Sequence, residues 1–347
     1  MNTDNRALRK RALLLADAGG KNLVTAIAKE FQMSRQSAHR HLMQLVKAGE
    51  LIPIGATKAR IYQLAALQHQ ADTFDRQGLA EDQVWRSTCL PVMQWLPENV
   101  RDIWHYGMTE MINNAIDHSG GARVTVGIKQ NALYTRAWVA DDGEGIFLKI
   151  QRALKLYDPR ESILELAKGK LTTDPINHTG QGIFFSSKMF DAFDIRSGNL
   201  HFMHDVGDPD FLLEHPKDAP GTIVFMQLEN DSPRAMKEVF DRFAEPDEFT
   251  FDKTVVPVKL AQHEGEKLVS RSQAKRLTLR FDRFRTVILD FDGVETIGQA
   301  FADEVFRVFQ TAHPEITMLP IRMTPDVEGM MKRALVPHCA IFGVSSG

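Results

Sequence analysis

The chain has 347 residues, 42 Lys and Arg against 45 Asp and Glu, a formal net charge of -3, and 43% hydrophobic residues. These are globular values that exclude a disordered or fibrous chain, and the length predicts two or three domains. Two cysteines, Cys89 and Cys339, exclude a disulfide framework, and no apolar run approaches the ~20 residues of a membrane span. A cytoplasmic protein with no membrane partner is expected.

Charge is unevenly spread. Residues 1–65 hold 11 Lys and Arg against 4 Asp and Glu, a local balance of +7, and the remainder holds 31 against 41, or -10. A compact basic end on an acidic body predicts a polyanionic partner for that end alone. Apolar spacing predicts a helix over Arg6 to Ala18, stopped by Gly19-Gly20, and a second over Leu23 to Phe31. Ser34 is a good N-cap for a third helix running to about Ala48, with Gly49 as its stop. Two short strand-like runs follow around Gly55 to Lys58. The third helix presents Ser34, Arg35, Gln36, His39 and Arg40, and its Arg and Gln side chains suit base edges in a major groove. Lys58 and Arg60 in the hairpin suit the nucleic-acid backbone or minor groove. The order of three helices and a hairpin resembles bacterial winged helix-turn-helix regulators over residues 5–65, which implies DNA as the partner. A protein-interaction module is the other use of that fold.

Residues 66–84 are polar and weakly patterned and read as a connector. A long helix is expected from about Glu98 to His118, then strands over Arg123 to Lys129 and Tyr134 to Asp141. A second helix is expected over Ile183 to Phe190, with further strands over Phe193 to Ser197, Leu200 to Val206 and Thr222 to Leu228. On the long helix Glu110 and Asn114 are four residues apart, with Asp117 and His118 following, so they share one face. An acid and an amide stacked in this way suit a hydrated magnesium ion that takes its remaining ligands from water and phosphate. Asn114 would be the metal ligand and Glu110 a general base. Read blandly, the same residues are the polar side of an amphipathic helix. After the second strand comes Asp141-Asp142-Gly143-Glu144-Gly145-Ile146, where a carboxylate can accept from an adenine amino group and glycines let the backbone approach a purine. Thr179-Gly180-Gln181-Gly182-Ile183 then opens a helix, an arrangement that presents N–H groups to phosphates. Thr222, in the last strand, is positioned to reach the base through water.

Together these segments resemble the N, G1 and G2 boxes of the GHKL (Bergerat) ATPases: gyrase, Hsp90, histidine kinases, mismatch-repair ATPases and anti-sigma-factor kinases. The resemblance covers about residues 85–230 and implies ATP and Mg2+ as cofactors. It matches Glu110 to the base, Asn114 to the magnesium ligand, Asp141 to the adenine contact, Gly143 and Gly145 to the G1 glycines, Gly180 and Gly182 to the phosphate loop, and residues 147–179 to the lid. The second glycine box is short and lacks the extended glycine run of histidine kinases. Lys149, Arg152, Lys155, Lys168 and Lys170 in the lid are candidates to reach phosphate or, more blandly, solvated charges.

Residues 231–250 read as a linker helix and turn. From Thr254 the pattern alternates: strand, helix (Arg271 to Phe284), strand (Thr286 to Phe291), helix (Gln299 to Thr311), strand (Ile316 to Ile321) and helix (Pro325 to Leu335). This resembles the STAS-like domain that closes some bacterial GHKL proteins. Where STAS antagonists carry a phosphorylated serine, this chain reads Gly298-Gln299-Ala300, so a docking or dimerising role is expected. The fold expected is therefore multidomain α/β: a winged helix (1–65), a connector (66–84), a Bergerat α/β sandwich (85–232), a linker (233–252) and a small STAS-like α/β domain (253–347). The expected function is an ATP-responsive, homodimeric DNA-binding regulator with a possible protein partner at the STAS-like domain. A protein kinase or partner-switching module, and a non-hydrolysing nucleotide sensor, are the alternatives.

Overall fold

The computed structural model describes residues 3–56, 60–171, 180–205, 210–244, 251–262 and 266–335. The chain is mixed α/β with several sheets, and it divides into two compact units. The first comprises residues 1–143, 190–193 and 221–235, and the second residues 144–189, 194–220 and 236–347.

The first unit begins with three helices, α1 (Thr3–Asp17), α2 (Leu23–Glu30) and α3 (Arg35–Lys47), and an antiparallel pair, β1 (Leu51–Ile54) and β2 (Ile61–Leu64). Ser34 caps α3, its Oγ accepting from the Ser37 N–H at 3.1 Å. Leu13, Ile27, Ala38, Leu42, Leu51 and Tyr62 belong to one buried core. Gly20 does more than stop α1. Its φ is +62°, and a Cβ there would collide with the Tyr62 carbonyl oxygen, so the hairpin lies directly on the helix turn. The same core includes Leu133 and Tyr134, and the Tyr134 hydroxyl donates to Asp17 Oδ1 at 2.9 Å.

The next elements are β3 (Gln68–Asp75), the short helices α4 (Glu81–Val84) and α5 (Leu90–Met93) joined by a π-turn, the long helix α6 (Glu98–His118), β4 (Arg123–Gln130) and β5 (Tyr134–Asp141). They continue with α7 (Ile146–Leu154), α8 (Glu161–Lys168), α9 (Gly182–Met189), β6 (Ala192–Asp205) and β7 (Phe211–Glu229). The five-stranded sheet has the order β3-β4-β5-β7-β6. Strand β3 corrects the expected connector: it pairs antiparallel with β4 from Gln68 opposite Gln130 to Asp75 opposite Arg123. Its inward positions are Gln68, Gln70, Asp72 and Phe74, so the period-2 pattern is carried mainly by polar side chains. Asp72 Oδ2 accepts from Thr88 Oγ1 at 2.7 Å and Gln70 Nε2 at 3.0 Å, so the inward polar pair is hydrogen-bonded. The two strands expected over 193–206 are a single strand, unbroken at Gly198.

In the second unit, α10 (Met236–Phe243) precedes a three-stranded parallel sheet made of β8 (Lys253–Pro257), β9 (Thr286–Asp290) and β10 (Thr317–Ile321), in the order β10-β9-β8. Helix α11 (Arg271–Thr278) connects β8 to β9, and α12 (Gln299–Ala302), a π-turn and α13 (Gln310–Ala312) connect β9 to β10 before α14 (Pro325–Leu335). Parallel pairing requires such crossovers. Helix α11 is shorter than the expected Arg271 to Phe284: Arg280 takes a left-handed φ of 63° and a 3-10 turn follows. Val256, Leu277, Phe281, Leu289, Phe291 and Phe301 are among the buried core residues.

Candidate functional site

Helix α6 buries a continuous stripe of Val100, Ile103, Trp104, Gly107, Met108, Met111, Ile112 and Ala115. The stripe lies over the inward side chains of β4 and β5, Val124, Val126, Ile128, Ala137 and Val139. Gly107 is there because the helix comes very close: a Cβ would collide with the Phe190 ring, and Met226 Sδ is 3.5 Å away. Trp104 meets the Phe190 ring edge-on, with centroids 4.7 Å apart. Glu110 and Asn114 flank this stripe and are half-buried, as is His118, while Asp117 is exposed. Burial first, and then the neighbouring Glu110 carboxylate, pushes the Tyr106 phenol well above its ordinary pKa.

At the end of β5, Asp141 Oδ1 accepts from the Gly143 N–H at 2.9 Å and from the Thr222 N–H at 3.3 Å. The sequence offered this carboxylate as an acceptor for a base, and one of its oxygens takes up backbone N–H groups. Two glycines make the arrangement possible. A Cβ on Gly143 would collide with the carbonyl oxygen of Ser119, the residue after α6, and one on Gly221 (φ +73°) would collide with the Asp141 carbonyl oxygen. The first unit thus brings Asp141, Gly143 and Thr222 together beside the C-terminal end of the helix that carries Glu110 and Asn114.

Three supporting residues escaped the sequence reading. Asp142 Oδ1 accepts from the N–H groups of Ala122 at 2.7 Å and Arg123 at 2.9 Å. The Arg123 N–H above all holds the Asp142 carboxyl below the usual carboxylate range. Arg76 donates from Nε to the Gly121 carbonyl at 2.6 Å and from Nη1 to the Ile116 carbonyl at 2.9 Å, which fixes the end of α6. Gly221 is the third. The doubled Asp and the glycine before Thr222 were visible as signals, whereas Arg76 follows a strand whose pattern was hidden.

The remaining glycine-box residues lie in the second unit. Gly145, with φ +92°, precedes α7, and Ile146 is that helix's first residue. Gly180, with φ +68°, has no room for a Cβ against the Leu171 backbone, and its carbonyl accepts from the Leu171 N–H at 3.0 Å. Gly182 opens α9, and Gly180, Gln181, Gly182 and Ile183 are half-buried. Thr179 lies outside the described residues. Of the lid cations, Arg152 pairs with Glu144, while Lys168 is fully buried and bonded within this unit.

Ser34, Arg35, Gln36, His39, Arg40 and Arg60 are all exposed, and Lys58 lies outside the described residues. Two of the module's cations pair with acids already counted in the local +7, and a third pairs with an acid outside residues 1–65. Arg9 pairs with Glu50 at 2.9 Å, Arg11 with Glu30 at 2.9 Å, and Lys10 with Glu229 at 2.7 Å. Among the described residues, Arg35 and Arg40 form no ion pair, so the unpaired charge of this module includes the exposed face of α3.

The C-terminal residues 273–328 match the family model of DUF4325, a STAS-like domain of unknown function. No curated protein matches the chain. The C-terminal domain is thus STAS-like, as the resemblance implied. Gly298 is the N-cap of α12, and Thr296 before it is exposed. At the end of β9, Asp290 is bridged by Arg322, which also reaches Asp292 at 2.9 Å. Among the described residues no helix is long and apolar enough to cross a membrane.

Gly143→Ala forces a methyl group into the Ser119 carbonyl. We expect a loss of about 1–3 kcal/mol in unfolding free energy, the usual cost of overpacking, read by denaturant titration. A change within about 0.5 kcal/mol of zero would show that α6 and this turn are not locked together.

Proposed function

We propose that the chain is an ATP-binding regulator of the GHKL type, in which nucleotide occupancy controls DNA binding by an N-terminal winged helix. The observation that carries this reading is the Asp141 carboxylate, oriented by the Gly143 and Thr222 N–H groups next to the end of the helix bearing Glu110 and Asn114. A carboxylate fixed in this way can discriminate adenine by accepting from its amino group, and Thr222 beside it can supplement the contact. Among the described residues no group of three or more His, Cys, Asp or Glu side chains is arranged for a metal ion. The donors on α6 suit a cation that takes most of its ligands from phosphate and water, with the Asn114 amide oxygen as the protein's ligand. Magnesium bound in this way would neutralise developing charge on the phosphates.

In this reading Glu110 accepts the proton of a water molecule as its oxygen attacks the γ-phosphorus. The bond to the bridging oxygen breaks and ADP leaves with that electron pair. Glu110 is half-buried, and the neighbouring Tyr106 remains protonated because of burial and that carboxylate. Gly180, Gln181 and Gly182, at the start of α9, are the residues this reading assigns to the phosphates, with Gly145 and Ile146 following the purine turn. DNA recognition is supported by the exposed Arg35 and Arg40, without an ion pair among the described residues, on a helix whose opposite face, Ala38, Leu42 and Leu45, is buried.

Glu110→Ala should leave ATP affinity within a few-fold of wild type and lower turnover by about 100-fold or more, the usual contribution of a general base. Asp141→Asn should weaken ATP binding by about 10-fold or more, because the amide oxygen stays with the Gly143 and Thr222 N–H groups and the amide NH2, a donor, then faces the donor on the base. Calorimetry and phosphate release separate the two. Equal loss of binding in both variants would remove Glu110 from the base role, and label from the γ-phosphate found on a partner would turn the reading toward a kinase.

For the winged helix, duplex DNA affinity should fall steeply as salt rises, with a slope of about -0.9 per phosphate contact. Arg35→Ala and Arg40→Ala should each weaken binding, and the affinity should differ between ATP and ADP. Affinity insensitive to salt and to both substitutions would reassign the module to protein contacts.

A further inference from the structure

Within the second unit, the segment after the first glycine turn is fastened to the STAS-like domain by a buried group of charges. Ser162 Oγ, in α8, donates to the Phe147 carbonyl of α7 at 2.8 Å, so the two helices are joined. Lys168, at the end of α8, is 0% exposed. Its Nζ bonds the Glu165 carboxylate and donates to the carbonyls of Arg276 at 3.1 Å and Leu279 at 2.9 Å, both on the STAS-like side. From that side Arg280 reaches back, with Nη1 to Glu165 Oε2 at 2.9 Å and Nη2 to the Gly169 carbonyl at 3.0 Å. Arg276 Nη1 bonds Glu161 Oε1 at 3.0 Å, and Thr254 Oγ1, in β8, donates to the Lys168 carbonyl at 2.7 Å. Lys170 Nζ donates to Asp252 Oδ1 at 2.7 Å and the Arg283 carbonyl at 2.8 Å.

Burying four charged side chains is costly where apolar packing would serve, and breaking such a group leaves an uncompensated charge. It holds together well only in one geometry, because each donor and acceptor has a fixed direction. Arg280 takes its place with a left-handed φ of 63°, a conformation that non-glycine residues seldom adopt. A soft, sliding contact between α8 and α11 would need none of this. The segment therefore moves with α11 and β8 as one body, or not at all.

We propose that the STAS-like domain is the reader of nucleotide occupancy, receiving it through α7 and α8 by way of the Glu165–Lys168–Arg280 charge group. The inference rests on the nucleotide reading above, since Gly145, at the head of α7, is two residues beyond Gly143 in the chain. Lys168 and Lys170, which the sequence offered as phosphate contacts, have their Nζ groups bonded to this clasp. Binding at the glycine turn that shifts α7 must shift α11 or break the group, and coupling between sites needs such an element.

The test uses the full chain, with ATP affinity measured by calorimetry and amide hydrogen exchange followed over residues 276–284 with and without Mg-ATP. In wild type, ATP should change exchange in this stretch by about fivefold or more, the lower end of ordinary coupling. Arg280→Gln should keep the ATP affinity and lose the exchange response. Arg276→Gln, at a half-exposed edge of the group, is the milder cut if Arg280→Gln fails to fold, and should reduce the response. Wild type that binds ATP with unchanged exchange over 276–284 would overturn the proposal while leaving the nucleotide reading intact. Absence of any ATP binding would overturn both.

Discussion

The contact on which the first unit depends is the approach of the Gly143 backbone to the carbonyl of Ser119, where the strand carrying Asp141 meets the end of α6. No side chain fits between them. That closeness sets the height of the helix over the sheet, and a second glycine, Gly107, allows it at the Phe190 ring. Arg76 and Asp142 then tie off the backbone groups that the helix end and the following turn leave open. The apolar stripe of α6 supplies the burial energy, while these close approaches determine where its polar flank comes to lie.

A second constraint operates in the other unit and has a different character. The α6 stripe is apolar packing, tolerant of small changes in side-chain shape. The charge group around Lys168 is directional and buried, so it resists partial movement. In the proposed reading, apolar packing places the nucleotide site and directional charges fix a segment downstream, and these would be the components of a two-state coupling. The exposed face of α3, with Arg35 and Arg40, is where the proposed DNA contact would lie.

Much of this was legible in the sequence where burial is apolar. The ends of α6 at Glu98 and His118 and of α14 at Pro325 and Leu335 follow from spacing and were read correctly. The alternation of strand and helix after Thr254 marked a small α/β domain, and its resemblance to STAS-like domains agrees with the family match. Strand β3 was not legible, because its inward residues Gln70 and Asp72 are polar, bonded to each other and to Thr88, which lies outside the strand. Helix α11 was read too long, since an arginine in a left-handed conformation leaves no compositional mark. The lid lysines were visible only as charges. What decided the place of Lys168 was the pair of carbonyls at the end of α11, more than 100 positions away. Of the candidate site, Glu110, Asn114 and Asp141 were readable as chemistry, whereas the bonds from Gly143 and Thr222 that orient Asp141 were not.

The most direct test of the central claim is an experimental structure of the full chain with magnesium and a non-hydrolysable ATP analogue. The account predicts the adenine amino group within about 3 Å of the Asp141 carboxylate, a hydrogen-bonding distance, with the metal on the Asn114 amide oxygen. A nucleotide bound elsewhere, or a base that leaves Asp141 untouched, would contradict it.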